Sequence, residues 1–190
     1  MRQGMNSHLE DSYVDRIDRH MGVGEVKGQG KPAEEFVARF YEGISGLKVR
    51  FSTPEEDKGP EIGGRQTVDL VVSFADGRAA FATQITSSDQ RGVMEKKIKE
   101  MRDHPFIRLD EMNPHEVSIP KVLVFLDAGQ IKNFFNDPTM KKYPELPLKV
   151  IDDHIRSLIF DLSQTQNPPQ QKAVKELIQI FTEEKKKYTH

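Results

Sequence analysis

The chain has 190 residues, a formal net charge of −2 at pH 7 and no cysteine. The absence of cysteine excludes disulfides, thiolate metal sites and cysteine nucleophiles, and the slight negative charge excludes a global positive field that would draw the protein to nucleic acid or to a membrane. No apolar run approaches the roughly 18–20 residues that cross a bilayer, and the first residues lack the apolar core of a secretory signal, so we expect a cytoplasmic protein.

The N-terminal part of the chain is predicted to form a helix followed by a linker. Ser7 and Glu10 have the spacing of a capping box, which predicts that a helix follows Ser7. The segment from Gly22 to Gly30 is rich in glycine and is predicted to be a flexible linker. We therefore separate residues 1–30 from the rest of the chain.

A second helix is predicted from Pro32, which suits the first helical position. Its apolar residues recur at helical spacing, and on a helical wheel Glu34 flanks them while Glu35 points nearly opposite. Glu34 can therefore reach toward whatever this helix packs against. Either glutamate also has a plain interpretation as a solvated first-turn residue that the helix dipole favours.

Three strands are predicted next, and the last two form a hairpin. Alternation over Leu47–Phe51 predicts the first strand, and the acidic, glycine-rich stretch after it predicts a loop. The stretch 67–86 indicates two strands joined by Asp76-Gly77, a dipeptide that suits a two-residue type I′ turn. In that register Asp69 lies directly across from Gln84, and period-two alternation places Thr86 on the same face.

The next predicted helix carries the strongest local positive charge. Ser87 and Gln90 repeat the capping-box spacing, so a helix is expected directly after the hairpin. A basic helix is often only a solvated face, but this one is the best candidate surface for meeting phosphates. Three acidic residues only partly balance its five basic residues, which are Arg91, Lys96, Lys97, Lys99 and Arg102.

The C-terminal half is predicted to supply a buried strand and further helices. The apolar run Val122–Leu126 is typical of a strand buried on both faces of a mixed or parallel sheet. A short helix over 131–135 and a last strand over Leu148–Ile151 follow. A helix from Asp152 or Asp153 and a final helix after Pro168-Pro169 complete the chain, with the charge run at its end interpreted as solvated tail.

This order of elements, with an acid and an amide paired on neighbouring strands, resembles the PD-(D/E)XK, or restriction-endonuclease-like, nuclease superfamily over about residues 32–126. The resemblance implies an α/β fold in which a central mixed β-sheet, beginning with a β-meander, is flanked by helices. We assign residues 31–151 to this core and residues 152–190 to a C-terminal helical extension. Other site types are not indicated, because the six histidines are scattered and no nucleophile elbow is present.

The resemblance also implies where a site would lie. Asp69 takes the place of the second-strand acid, Gln84 that of the third-strand glutamate and Thr86 that of the lysine, while Glu34 or Glu35 takes that of the helix glutamate. Asp69, Gln84 and Glu34 are then the implied ligands of Mg²⁺ or Mn²⁺. Gln84 brings no charge to a metal and Thr86 no ammonium to the reaction, so Lys96 or Lys97 is the candidate replacement.

Three functions remain open at this point. The first is a nuclease-like domain with a degenerate metal site, reduced or lost activity and a binding or scaffolding role in nucleic-acid processing. The second is an active Mg²⁺-dependent phosphodiesterase, with Asp69, Gln84, Thr86 and Lys96 as catalytic residues. The third is an unrelated α/β protein-binding domain. For the first two, DNA or RNA is the expected partner through Arg91, Lys97 and Lys99.

Overall fold

The computed structural model describes residues 31–52, 68–87, 91–109, 118–136 and 145–189. The predicted N-terminal helix, its linker and most of the loop before the hairpin lie outside these residues. The described elements are α1 (Lys31–Glu42), β1 (Leu47–Phe51), β2 (Leu70–Phe74), β3 (Ala79–Thr86), α2 (Arg91–Asp103), β4 (Phe106–Ile107), β5 (Ile119–Phe125), α3 (Ala128–Asn136), α4 (Glu145–Gln164) and α5 (Pro168–Lys186).

The strands form one mixed sheet of order β1-β2-β3-β5-β4. β1, β2 and β3 are an antiparallel meander, β5 is parallel to β3, and the short β4 is antiparallel to β5. The predicted α/β class with a meander is confirmed, and so is the doubly buried strand of the C-terminal half, which is β5. β4 was not predicted. No helix in the described ranges is long and apolar enough to cross a membrane.

The hairpin between β2 and β3 differs from the prediction at its turn and agrees with it at the site. Phe74 accepts a hydrogen bond from the N–H of Gly77 and donates its own N–H to the carbonyl of Arg78, so the loop has three residues and the predicted two-residue type I′ turn is wrong. Gly77 has φ +90°, as expected for the last residue of such a loop. A bulge between Val72 and Ser73 then shifts the ladder by one residue.

These two irregularities cancel. Beyond the bulge, Leu70 pairs with Thr83, which is the pairing that the simple two-residue turn predicted. Gln84 therefore lies next to Asp69, at the start of β2, and its side chain projects from the face that period-two alternation predicts. The predicted neighbourhood of Asp69 and Gln84 does not depend on the turn type.

One face of the sheet, here called the core face, is covered by α1, α4 and α5. Phe81 of β3 packs edge-on against Tyr41 of α1, His154 of α4 and Phe181 of α5. All four side chains are fully buried. Burial of such aromatic groups is the largest source of stability in a sheet-and-helix sandwich.

The polar groups within the core face satisfy one another. His154 Nδ1 lies 2.6 Å from the carbonyl of Val150, so Nδ1 carries the proton and Nε2 accepts from the Tyr41 hydroxyl at 2.5 Å. The Tyr41 oxygen then accepts from the Thr83 hydroxyl at 2.8 Å. Burial lowers the pKa of His154 to about 3, so this imidazole is neutral. The network ties α1, β3 and α4 together.

The free edge of β5 is capped by side chains of α4. Beyond the short β4, the N–H of Leu123 donates to Ser157 Oγ at 3.4 Å and the N–H of Phe125 donates to Asp153 Oδ2 at 2.9 Å. Four helical residues rise about 6 Å and two strand residues about 6.6 Å, so residues four apart on a helix can serve alternate N–H groups of an antiparallel strand. α4 thereby closes an edge that would otherwise expose backbone donors.

Two C-terminal predictions are wrong, one of them in part. Leu148–Ile151 is not a strand but part of α4, because its apolar residues continue the helical pattern of Leu146, Leu158 and the rest of the core face. The terminal charge run is exposed at Glu183, Lys186 and Lys187, as predicted, but it does not fray: α5 continues to Lys186, and Glu184 is buried. The boundary drawn between residues 151 and 152 falls within α4, and both C-terminal helices share one apolar cluster with the sheet.

Candidate functional site

The opposite face of the sheet, here called the α2 face, carries the residues that the sequence singled out. Asp69 stands just before β2, and its own N–H donates to the carbonyl of Thr83 at 2.9 Å. Because β2 begins only at Leu70, the strand pairing of β3 on that side ends there among the described residues. The Asp69 carboxylate takes that place and accepts the N–H of Ile85 at 2.5 Å.

Lys97 of α2 reaches the same backbone unit. Its Nζ lies 3.3 Å from the carbonyl oxygen of Ile85, so an ammonium and the Asp69 carboxylate bind the two polar groups of one residue. Lys97 is half-buried, whereas Lys96 is exposed on the other side of the helix. Of the two lysines proposed from sequence as the displaced motif lysine, the structure brings Lys97 to β3 and leaves Lys96 in solvent.

A second lysine of this face was missed by the sequence analysis. Lys121 of β5 pairs with Ala82 of β3, so its side chain shares a face with Gln84. The side chain has no exposed surface, and its Nζ lies 3.3 Å from Glu100 Oε1 of α2. Burial lowers the pKa of Lys121, while the Glu100 carboxylate opposes that shift. Lys97 and Asp69 also act on this pKa, with opposite signs.

Gln84 and Thr86 are buried on the face of the sheet that α2 contacts, rather than in an open groove. Gln84 pairs with Leu123 and Thr86 with Phe125, so both project from the centre of the sheet onto the α2 face. Their exposed fractions are 1% and 7%. The structure thus unites Asp69, Gln84, Thr86 and Lys97 with Lys121, but it covers the amide and the threonine.

The remaining predicted residues lie elsewhere. Glu34 is half-buried in the first turn of α1, a helix that packs on the core face. Arg91 and Lys99 are exposed on α2, together with Lys96 and Arg102. The exposed surface of α2, taken as these four cations with Glu95 and Asp103, carries two more positive charges than negative ones.

The donor set of the α2 face does not fit a divalent metal. Across the described ranges, no three histidine or acidic side chains come close enough together to hold an ion. One oxygen of Asp69 already accepts a backbone N–H, and the ammoniums of Lys97 and Lys121 lie where a cation would be repelled. A hard cation prefers several oxygen ligands with net negative charge, which this cluster does not supply.

The arrangement is suited to holding an anion. On the α2 face, Lys97 contacts a backbone carbonyl and Lys121 is paired with Glu100. Four further cationic side chains are exposed on the outer side of α2. Ammonium and guanidinium groups are the groups that bind phosphate oxygens. Comparison with protein-family models, with curated proteins and with solved structures found no match, so the site itself is the basis for any functional conclusion.

Proposed function

We propose that this protein is a nuclease-like α/β domain that has lost metal-dependent cleavage and binds nucleic acid through α2 and the adjacent face of the sheet. One observation carries the proposal: at the position implied for a metal, Asp69 and Gln84 are accompanied by the ammoniums of Lys97 and Lys121. Cations at this place favour a phosphate over a divalent metal ion.

The charge distribution supports the same assignment. The whole chain has a net charge of −2, so its affinity for a polyanion has to come from a local surface. The outer side of α2 is such a surface, because Lys96, Lys99, Arg91 and Arg102 are all exposed there. Glu100, which would otherwise reduce this local charge, is paired with Lys121. The proposal includes a cytoplasmic location, because nucleic acid is a ligand found inside cells.

A binding experiment tests the proposal. Fluorescence anisotropy is measured with a labelled single strand of about 20 nucleotides and with the corresponding duplex, from low to physiological salt. Replacing Lys96 and Lys99 together by glutamine is expected to weaken binding and to reduce the slope of log K against log salt by about 1.4 for the single strand or about 1.8 for the duplex, because each phosphate contact contributes about 0.7 or about 0.9.

A matched control removes the same charge from another helix. Lys172 and Lys175 are exposed on α5, and their joint replacement by glutamine changes the net charge equally. This control is expected to leave the salt slope unchanged. Equal losses in both double variants would mean that only net charge matters, and would contradict an interface on α2. Absence of binding to either probe at low salt would leave the protein-binding interpretation in its place.

A further inference from the structure

The helix that covers the candidate site is attached to it differently from the other helices. None of the 13 residues of α2 is buried, whereas α4 and α5 each bury several side chains. Its apolar residues Val93, Met94, Ile98 and Met101 are only half-buried. A helix without a buried residue gains little from the hydrophobic effect and can leave its place at low cost.

Three side chains of α2 contact β3, β5 and α4 through their nitrogen, oxygen or sulfur atoms. Lys97 binds the carbonyl of Ile85, Glu100 binds Lys121, and the sulfur of Met101 accepts a weak hydrogen bond from Ser157 at 3.8 Å. The Glu100–Lys121 pair differs from the rest because one partner, Lys121, is completely buried while Glu100 keeps 20% of its side chain exposed. Separation of α2 from the sheet would expose that ammonium.

We infer that α2 is a lid, that the Glu100–Lys121 ion pair holds it closed, and that an anionic group of phosphodiester type replaces Glu100 on Lys121 when the lid opens. Glu100 then competes with the ligand, because its carboxylate is paired with the Lys121 ammonium that the ligand would bind. The part of this inference that concerns the ligand rests on the function proposed above, whereas the lid itself does not.

Opening would uncover a coherent set of groups. Gln84, Thr86 and Lys121 are polar side chains buried on the α2 face, where Lys121 contacts Glu100 of α2 and Asp69 lies beside them. The closed arrangement keeps the three buried groups from solvent. A ligand that binds only the open form shifts the equilibrium toward it, and a change that weakens the closed form raises the apparent affinity.

The chain contains no cysteine, so a single introduced thiol reports opening directly. Thr86→Cys places a thiol at a buried position of the α2 face, next to the residue that Lys97 of α2 contacts, and its rate of modification by a soluble disulfide reagent is measured under native conditions. Adding Glu100→Gln is expected to raise this rate by about fivefold or more, the lower end of typical coupling between two states. Glu95→Gln, which removes the same charge from the exposed side of α2, is expected to leave the rate unchanged.

A second thiol separates lid opening from global unfolding. Val122→Cys lies fully buried on the core face of β5, next to Lys121 in sequence. Its modification is expected to be equally slow with and without the Glu100→Gln substitution. If Glu100→Gln accelerates both thiols alike, or neither, the lid is overturned.

Affinity for the labelled single strand tests the ligand exchange. Glu100→Gln is expected to tighten binding more than Glu95→Gln does, and Lys121→Met added to Glu100→Gln is expected to abolish that difference. Equal affinities of the two glutamine variants would overturn the exchange of Glu100 for a phosphate. Faster labelling of Thr86→Cys in a protein that binds no nucleic acid would keep the lid and refute the proposed function.

Discussion

The two faces of the sheet are built on opposite principles. On the core face, helices bury aromatic rings and the polar atoms of Tyr41, Thr83 and His154 satisfy one another. On the α2 face, a helix without a buried residue covers charged groups. The first face therefore stabilises the fold, and the second holds groups whose burial contributes little to stability. This difference is what marks the α2 face as the candidate functional one.

The largest expected loss of stability comes from a substitution that disrupts the packing of the core face. Phe81→Ala should lower the free energy of unfolding by about 3–5 kcal/mol, because it removes the ring that three other rings contact and leaves a cavity. Phe51→Ala, at an exposed position of β1, is the matched control and should change stability by less than about 0.5 kcal/mol. Urea denaturation measures both. A loss below about 1 kcal/mol for Phe81→Ala would contradict the role assigned to this face.

The next largest effect on stability is expected from the carboxyl group of Asp161, which belongs neither to the polar network of the core face nor to the candidate site. Asp161 is fully buried on α4, four residues beyond the edge-capping Ser157, and among the described residues neither of its oxygens has a hydrogen-bond partner. Burial raises the pKa of Asp161 to about 8. Between the ordinary value of 3.8 and about pH 8 the unfolded chain has lost this proton and the folded chain keeps it, so stability falls as the pH rises.

Asp161→Leu should therefore stabilise the protein at about pH 8 by about 2 kcal/mol or more, with a smaller gain at about pH 4, since each pKa unit corresponds to about 1.4 kcal/mol. Urea denaturation at several pH values measures the gain. The effect of His154 on stability has the opposite dependence on pH. Its pKa in the folded protein is lowered to about 3, so the unfolded chain binds a proton below about pH 6.5 that the folded chain does not, and stability falls as the pH falls. A variant without Asp161 should show this acid loss more clearly. If Asp161→Leu raised the stability equally at every pH, the raised pKa of Asp161 would be refuted.

A smaller effect tests the polar network of the core face. Tyr41→Phe keeps the ring and removes the hydroxyl that joins His154 to Thr83, which leaves a buried acceptor on His154 without its donor. We expect a loss of about 1–3 kcal/mol in the free energy of unfolding. Thr83→Val on the Tyr41→Phe background should cost less than in the wild type, since the two groups share one network. Additive losses would show that they do not.

The smallest effect is expected on the α2 face. Lys121→Met removes a buried ammonium, and the remaining Glu100 is exposed enough to be hydrated. Stability should therefore change by less than about 1 kcal/mol in either direction, since a buried ion pair is a weak source of stability. Urea denaturation with the wild type as reference gives the value. A loss above about 2 kcal/mol would show that this face is built for stability as well.

Much of this architecture could be predicted from local patterns. Alternation placed Gln84 beside Asp69, and the register survived a wrong turn type because the bulge at Val72 compensates for the longer loop. The apolar run of β5 identified a strand that is buried on both faces. Leu148–Ile151 was assigned wrongly because a short apolar run without its flanks does not distinguish strand from helix, and the helical periodicity there becomes clear only over all of α4.

The site was harder to predict because tertiary contacts decide it. A helical wheel of α2 could have separated the two lysines, since Lys97 lies about 40° from the centre of the apolar residues and Lys96 about 140°. Lys121 carried a signal as well, because a lysine beside a doubly buried apolar run needs an acidic partner. That the partner is Glu100, and that Gln84 is buried, follows from tertiary packing alone.

We propose that the α2 face binds a nucleic acid without metal-dependent cleavage. The most direct measurement incubates the labelled single strand and duplex with the wild type and with Asp69→Asn, in EDTA and in Mg²⁺ or Mn²⁺, and records anisotropy and strand length together. We expect binding in EDTA and intact strands under all conditions. Cleavage that requires the metal and is abolished by Asp69→Asn would contradict the claim and identify an active nuclease.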